Sequence, residues 1–207
     1  MFIGHYGVGY AVKKSNQDIP LWLLFAAVQL LDLIAFTLVL FGIEGASFIP
    51  NENPFFRNHL VLPFSHSLVG AVIISLIVFY AFRNKKGWGL VLGLCVLSHW
   101  FIDLLVHTND LPILFGGYSV GLGLWNYPYF TFAIEIIFVL IGWLLIKRRN
   151  IFSYILLFLM IASFTGMVFG SEPEMMRNNA ALRTSVVLLS NGLFILFAYL
   201  SDRKGKK

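Results

Sequence analysis

The sequence predicts an all-α, polytopic membrane protein with six transmembrane helices and a short N-terminal half-helix or interfacial helix. The 207-residue chain is 58% hydrophobic and has a mean hydropathy of +0.81, while only 12% of its residues are charged. Soluble domains carry about twice that share of charge. The apolar residues also gather into segments of about 17–25 residues, the length that a helix needs to cross a bilayer. Helices are expected because an open sheet leaves unsatisfied backbone groups in lipid.

Six segments meet this length, and together they predict a single integral membrane domain over residues 1–207. They cover approximately residues 20–42, 63–82, 88–105, 129–146, 151–169 and 183–199. The lone cysteine, Cys95, lies inside the third segment, so no disulfide framework is expected.

The basic residues fall mostly on one side of this arrangement. They cluster at residues 13–14, 83–86, 147–149 and 203–207, whereas Arg57, Arg177 and Arg183 lie on the other side. By the positive-inside rule, both termini are predicted to be cytoplasmic, in an inner or plasma membrane. The clusters are short and lack interleaved stacking aromatics. This pattern is typical of contact with membrane lipids and argues against nucleic acid as a partner.

The first stretch, FIGHYGVGYAV, is too short to span a bilayer. It is expected to lie in the interface or to enter the membrane as a half-helix from the cytoplasmic side. If Lys13 and Lys14 stay at the inner surface, His5 lies about 12 Å deeper, since a helix rises about 1.5 Å per residue.

The most informative stretch is SHWFIDLLVHTND, residues Ser98–Asp110, at the end of the third span. His99, Asp103 and His107 recur every four residues, so they are predicted to share one helical face. Ionisable groups at membrane depth are costly unless they pair, bind a metal or line a wet cavity. The stretch therefore predicts a functional site, with Asp110 as an additional candidate.

Other spans supply candidate partners at similar depth. Asp32 is expected about 18 Å into the first span and Glu135 about 10 Å below the outer surface in the fourth. Ser65 and His66 begin the second span near the outer interface. Histidine nitrogens and carboxylate oxygens are ligands of zinc and related divalent ions. Carboxylates that do not bind a metal can act as a base or orient the imidazoles, so Asp103 and Glu135 are the candidate catalytic residues.

The remaining polar residues are interpreted as structural. The fifth and sixth spans carry almost nothing ionisable at depth, so they are predicted to form scaffold, a lipid-facing wall or a surface for homo-oligomers. Glu44 and His59, in the loop between the first two spans, could contribute to the mouth of a site, but they are interpreted as solvated side chains.

Four features resemble the YdjM-like family of membrane-bound metal-dependent hydrolases. These are GHYGVGYAV near the start, the intramembrane Asp32, SHS in the second span and HxxxD in the third. The resemblance covers roughly the N-terminal two-thirds of the chain. It implies a divalent metal, most simply zinc, and as candidate ligands His5, Asp32, His66, His99 and Asp103.

The chain departs from this family at two places. The family pattern has a histidine several residues before a THS-like motif, where this chain has Val61 and Leu62. It also has Pro-Asp-x-Asp, where this chain reads Leu31-Asp32-Leu33-Ile34. Fewer ligands favour one metal ion or none over a two-metal centre.

Three classes of function compete. A metal-dependent hydrolase acting on a lipid-linked or amphipathic substrate from the outer half of the bilayer leads, because the ligand types are present and the site opens outward. A proton- or metal-ion-coupled transporter would use the same buried groups, but the sequence shows neither inverted repeats nor matching broken helices. A structural or regulatory membrane protein with a polar packing network is the third class.

Overall fold

The computed structural model describes residues 2–147 and 149–202, and within them the fold is mainly helical. The helices are α1 (Gly4–Ser15), α2 (Leu21–Val28), α3 (Leu30–Leu40), α4 (Leu68–Phe82), α5 (Trp88–Val106), α6 (Pro128–Leu145), α7 (Ile151–Phe169), α8 (Glu174–Arg177) and α9 (Ala180–Asp202). Two antiparallel hairpins connect them, β1 (Gly45–Phe48) with β2 (Asn58–Val61) and β3 (Leu111–Pro112) with β4 (Ser119–Val120). Of the predicted basic clusters, Arg148 and residues 203–207 lie outside the described residues.

The lengths and composition of the helices indicate a membrane protein. Within the described part of the chain, four helices, α5, α6, α7 and α9, are long and apolar enough to cross a membrane, and the bent pair α2 and α3 together would make a fifth. α7 covers the predicted residues 151–169, and the other three long helices differ from their predicted bounds by a few residues at the ends. α4 has only 15 residues, which is short of the about 20 that a perpendicular span needs.

The first predicted span, residues 20–42, is broken in the middle. α2 and α3 meet at Gln29 with a bend of 57°. A helix kinks where a side chain inserts into its hydrogen-bond ladder. Here the imidazole of His99, from α5, forms a hydrogen bond with the carbonyl of Val28. The Gln29 side chain donates to the carboxylate of Asp32. The expectation of one continuous helix was wrong at this point.

The second predicted span begins later than expected. Ser67 is the N-cap of α4, and its hydroxyl accepts the backbone N–H of Gly70 at 2.9 Å. The chain before it folds back so closely that a Cβ at Gly70 would lie 2.0 Å from the carbonyl oxygen of Phe64. Ser65 and His66 therefore stand in a turn ahead of the helix.

The N-terminal helix α1 packs among other helices instead of lying on a surface. The side chains of His5, Tyr6 and Tyr10 are at most 1% exposed. Two glycines, Gly7 and Gly142, allow the close approach of α1 to α6. A Cβ atom at Gly7 would lie 2.7 Å from the carbonyl oxygen of Phe138, and a Cβ atom at Gly142 would lie 2.5 Å from the carbonyl oxygen of Gly7. This packing brings His5 toward α5.

The long loop after α5 closes the end of that helix. The backbone N–H of Leu122 donates to the carbonyl of Leu104 at 2.8 Å, and that of Gly123 donates to the carbonyl of His107 at 2.7 Å. These bonds satisfy carbonyls that a helix end leaves without partners. The loop then places the buried Trp125 side chain over His107, with ring centroids 4.1 Å apart.

Candidate metal centre

Three separate segments bring two histidines and two aspartates together. α5 supplies His99 and Asp103, which share a face because they are four residues apart. α3 supplies Asp32 just after the helix break, and the turn before α4 supplies His66. The side chains of the histidines and of Asp103 are at most 4% exposed, whereas that of Asp32 is 17% exposed. These residues are called the four-residue cluster below.

The donor atoms of the four-residue cluster alternate between nitrogen and oxygen. His99 Nε2 lies 3.1 Å from Asp103 Oδ2 and 3.7 Å from Asp32 Oδ1. His66 Nε2 lies 3.7 Å from Asp103 Oδ2 and 3.1 Å from Asp32 Oδ1. Ligands about 2.0–2.1 Å from a tetrahedral zinc stand about 3.3 Å from one another. The four nitrogen–oxygen separations are near this value, and among these residues Asp32, His66 and His99 form one group whose donor atoms could hold a metal ion.

The hydrogen bonds of His99 direct its free lone pair into the cluster. A carbonyl only accepts, so the 2.7 Å contact with Val28 places a proton on Nδ1. The other nitrogen, Nε2, is buried and makes no hydrogen bond among the described residues, although Asp103 Oδ2 is close. Two lone pairs that face each other repel unless a cation or a proton lies between them. A ligand histidine whose second nitrogen donates to a carbonyl is typical of metal sites.

His66 is oriented by a buried relay that the sequence did not predict. The Ser65 hydroxyl donates to Glu44 Oε2 at 2.7 Å, so its oxygen accepts from His66 Nδ1 at 3.0 Å. This leaves Nε2 of His66 for the carboxylates. Glu44 also accepts the backbone N–H groups of Phe64 and Ser65, each at 2.9 Å, and is only 5% exposed. The interpretation of Glu44 as a solvated loop residue was wrong.

His5 approaches the same aspartate from the other side. Its Nε2 lies 3.2 Å from Asp103 Oδ1, while His99 faces Asp103 Oδ2. The His5 ring stacks on the His99 ring with centroids 3.7 Å apart and an interplanar angle of 5°. The His5 side chain is fully buried, and neither ring nitrogen makes a hydrogen bond among the described residues.

Glu135 does not join the four-residue cluster. Its Oε2 accepts the backbone N–H of Phe2 at 2.8 Å and that of Gly4 at 3.1 Å. It therefore satisfies the free N–H groups at the beginning of α1, where the helix dipole also favours a negative charge. Glu135, which was predicted to be catalytic, therefore caps α1, the helix that carries His5.

His107 and Asp110 form a separate pair. α5 ends at Val106, and His107 is its C-cap residue, with a backbone N–H that still donates to the carbonyl of Asp103 at 2.9 Å. His107 therefore stays at the end of the face predicted for His99 and Asp103, but its imidazole pairs with another carboxylate. Its Nδ1 lies 3.2 Å from Asp110 Oδ1, which also accepts the hydroxyl of Thr108. Partial burial of Asp110 works against its charge, but these two hydrogen bonds hold the pKa of its carboxyl below the ordinary value.

A cavity of about 390 Å³ adjoins the four-residue cluster. Asp32, His66 and Asp103 form part of its wall, and Phe164 from α7 and Phe194 from α9 form part of the apolar remainder. The last two long helices thus line this cavity, which the sequence did not predict. α9 is also tied to α1, because the buried Tyr6 hydroxyl donates to Asn191 Oδ1 at 2.6 Å.

Comparison with models of protein families, with curated proteins and with solved structures gives no match to this chain. The resemblance to the YdjM-like family therefore stays a prediction. Any functional conclusion depends on the geometry of the site.

Proposed function

We propose that the protein is a membrane-embedded, metal-dependent hydrolase that acts on a lipid-linked or amphipathic substrate from the outer half of the bilayer. The observation that carries this proposal is the alternation of two imidazole nitrogens and two carboxylate oxygens at 3.1 and 3.7 Å beside an apolar cavity. The metal is proposed to be zinc, since this ligand set suits it.

The charges of the four-residue cluster support a divalent cation. Two aspartates contribute two negative charges, and the neutral histidines contribute none, so one divalent ion gives an uncharged centre. Burial of a balanced centre is far less costly than burial of unpaired carboxylates. When bound, the ion would polarise a carbonyl or phosphoryl oxygen of the substrate as a Lewis acid.

The residues of the chain would orient the ligands and the substrate. Val28 and the relay from Glu44 through Ser65 keep the protons of His99 and His66 on Nδ1, away from the ion. Asp103 lies close to the imidazoles of His5, His66 and His99. We propose that its carboxylate positions the group of the substrate that reacts. The aromatic walls of the cavity would receive the hydrocarbon part of an amphipathic substrate.

The membrane arrangement belongs to the same proposal. We take α4 and the bent pair α2 and α3 as spans in addition to the four long helices, which gives six. Both termini are then on the cytoplasmic side of an inner or plasma membrane, because the described clusters at residues 13–14 and 83–86 fall there. Exposed apolar side chains on α7 and α9 would contact lipid or a second copy of the chain.

Metal analysis of the purified protein tests the proposal. The wild-type protein should carry stoichiometric zinc, and the variants His99→Ala and Asp103→Asn should lose it while keeping their elution position in size-exclusion chromatography. His59→Ala is the matched control, because His59 is exposed and lies on the β2 strand. A metal-free wild-type protein that is as stable as both variants would refute the metal site.

A proton- or metal-ion-coupled transporter is the second candidate, and the broken helix supports it. Discontinuous helices with ionisable groups at the break are typical of ion sites in transporters. The 57° bend between α2 and α3 lies next to Asp32. Proteoliposomes that contain the wild-type protein would then take up protons or zinc, and those that contain Asp32→Asn would not. This result would favour transport over hydrolysis.

A further inference from the structure

The cavity beside the four-residue cluster extends along one face of α9. It is bordered by Arg183, Val187, Asn191 and Phe194, whose spacing places them on the same side of the helix. Arg183 and Asn191 are eight residues apart, which is about 12 Å along a helix axis. Because Asn191 accepts the Tyr6 hydroxyl, the cavity at Asn191 lies against α1. At Arg183 the cavity lies next to the connection between α7 and α9.

The end of the cavity at Arg183 is formed by connecting segments and is called the loop end below. Gly170 and Glu172, which follow α7, border the cavity together with residues of β1 and β2. Arg57 Nη1 donates to the carbonyl of Gly170 at 3.0 Å, and the Arg183 guanidinium carbon lies 5.9 Å from the centre of the Phe48 ring. These contacts hold the β1–β2 hairpin against the α7–α9 connection.

Arg183 brings a buried positive charge to the loop end. The residue is only 7% exposed, and its Nη1 donates to the carbonyls of Met176 at 2.6 Å and Arg177 at 2.8 Å. These bonds hold the guanidinium in place, but a carbonyl carries no full charge. Nε and Nη2 make no hydrogen bond with the described residues, and no carboxylate of those residues forms an ion pair with Arg183. A buried charge without an opposite charge is costly, so the loop end favours an anionic ligand.

The acidic residues near the cavity have other positions or other partners. Glu172 borders the loop end, but it is partly exposed and forms no ion pair with Arg183. Glu44 is bound by the turn before α4, and Glu135 is bound by the backbone at the beginning of α1. Both aspartates that border the cavity belong to the four-residue cluster. The charge of Arg183 is therefore left for a ligand.

We infer that the loop end binds the anionic headgroup of a single-chain amphiphile, with Arg183 as its anchor. Nε and Nη2 form the side of a guanidinium whose parallel N–H groups bind two oxygens of a phosphate or carboxylate. The wall along α7 and α9 is lined by apolar side chains such as Phe164, Met167 and Phe194, which would receive the hydrocarbon chain. A volume of about 390 Å³ is near the lower end for small-molecule sites, which favours one chain over two.

This assignment rests on the proposed function, because it gives the class of substrate for the same cavity. It also separates anchoring from reaction. The guanidinium of Arg183 is held beside the carbonyls of α8, whereas the candidate metal ligands lie on α3, on α5 and in the turn before α4. The charged headgroup would therefore anchor the amphiphile, while a different group of the same molecule faces the four-residue cluster.

Binding of dodecyl phosphate to the full-length protein in a neutral detergent tests the anchor. Native mass spectrometry over a concentration series gives the affinity for one bound molecule per chain. The wild type should bind dodecyl phosphate about 10–100-fold more tightly than 1-dodecanol, which has the same chain without the charge, because hydrogen bonds to a charged group contribute about that factor. Inorganic phosphate should bind far more weakly than dodecyl phosphate, since it lacks the chain.

Arg183→Met should lower the affinity for dodecyl phosphate to that for 1-dodecanol and leave the affinity for 1-dodecanol unchanged. Arg177→Met is the matched control and should keep the wild-type preference. The Arg177 guanidinium also lies 5.9 Å from the centre of the Phe48 ring, but Arg177 is exposed and does not border the cavity. The comparison of ligands on the wild type needs no substitution, so it stays decisive if Arg183→Met does not fold.

Each contrary result has a distinct meaning. Equal affinity of the wild type for dodecyl phosphate and 1-dodecanol would overturn the anchor. A folded Arg183→Met variant that keeps the preference would also overturn it, because the headgroup would then bind elsewhere, as at a metal ion. Inorganic phosphate that binds as tightly as dodecyl phosphate would overturn the amphiphile.

Zinc content, measured on the same samples, separates this inference from the proposed function. A zinc-containing wild type without the preference for dodecyl phosphate would refute only the anchor. A zinc-free wild type that keeps the preference would refute only the metal-dependent reaction.

Discussion

Nδ1 of His99 donates a hydrogen bond to the main-chain carbonyl of Val28 over 2.7 Å. That carbonyl is at the end of α2, where it has no donor within its own helix. The same contact fixes the tautomer of His99 and directs Nε2 toward Asp103. The break in the first apolar segment and the orientation of a candidate metal ligand are therefore physically coupled.

The first prediction concerns the relay that orients His66. Glu44→Gln should weaken zinc binding by about 10–100-fold, as is typical when an outer-shell partner is changed. A glutamine amide can donate to the Ser65 hydroxyl, which would turn that hydroxyl toward His66 Nδ1 and move the imidazole proton to Nε2. Competition with a chromophoric chelator measures the affinity.

Glu52→Gln is the control for Glu44, because Glu52 is a nearby carboxylate in the loop between β1 and β2 and is exposed. Its zinc affinity should equal that of the wild type. If Glu44→Gln binds zinc equally well, Glu44 does not orient the ligand, and the relay is only structural.

The second prediction concerns the approach of α1 to α6. Gly7→Ala should destabilise the protein by about 1–3 kcal/mol, since overpacking forces the backbone to shift. The added Cβ would lie 2.7 Å from the carbonyl oxygen of Phe138, which is backbone and cannot rotate away. Thermal unfolding in one detergent measures the effect.

Gly192→Ala provides the matched control in the interior of α9. A Cβ at Gly192 meets nothing within 4 Å, and alanine favours a helix over glycine, so its melting temperature should be equal or higher. Equal melting temperatures for Gly7→Ala and the wild type would show that α1 is not held against α6 in this way.

The third prediction compares two buried tyrosines on α1. Tyr6 donates to Asn191 at 2.6 Å, whereas the Tyr10 hydroxyl has no hydrogen-bond partner among the described residues. Tyr6→Phe should cost about 0.5–1.5 kcal/mol, and Tyr10→Phe should be neutral or stabilising because it removes an unsatisfied group. Denaturant or thermal unfolding of both variants measures this. The reverse order of stabilities would contradict the pairing of α1 with α9.

The parts of this molecule that depend on local sequence could be predicted. The length of an apolar run determines where a membrane helix begins and ends, so α5, α6 and α7 lie within a few residues of their predicted bounds. The four-residue spacing of His99 and Asp103 correctly placed both on one face, because the helix continues through them.

The remaining features depend on contacts between distant residues. α5 ends at Val106, where the backbone N–H groups of Leu122 and Gly123 donate to the carbonyls of Leu104 and His107. Glu44 is buried because it pairs with Ser65, 21 residues further along the chain. Neither contact has a local sequence signal, and the same is true of the ring of His99 that breaks the first apolar segment.

The fourth prediction concerns Glu135, which lies in α6 and caps the N-terminus of α1. Glu135→Leu should destabilise the protein by about 1–3 kcal/mol, because it leaves the N–H group of Phe2 and the buried N–H group of Gly4 without this acceptor. Glu135→Gln keeps an acceptor oxygen and should cost less. Glu174→Leu, at an exposed position in the first turn of α8, should change little. Thermal unfolding of the three variants gives the order, and a Glu135→Leu variant as stable as the wild type would show that this carboxylate does not hold α1.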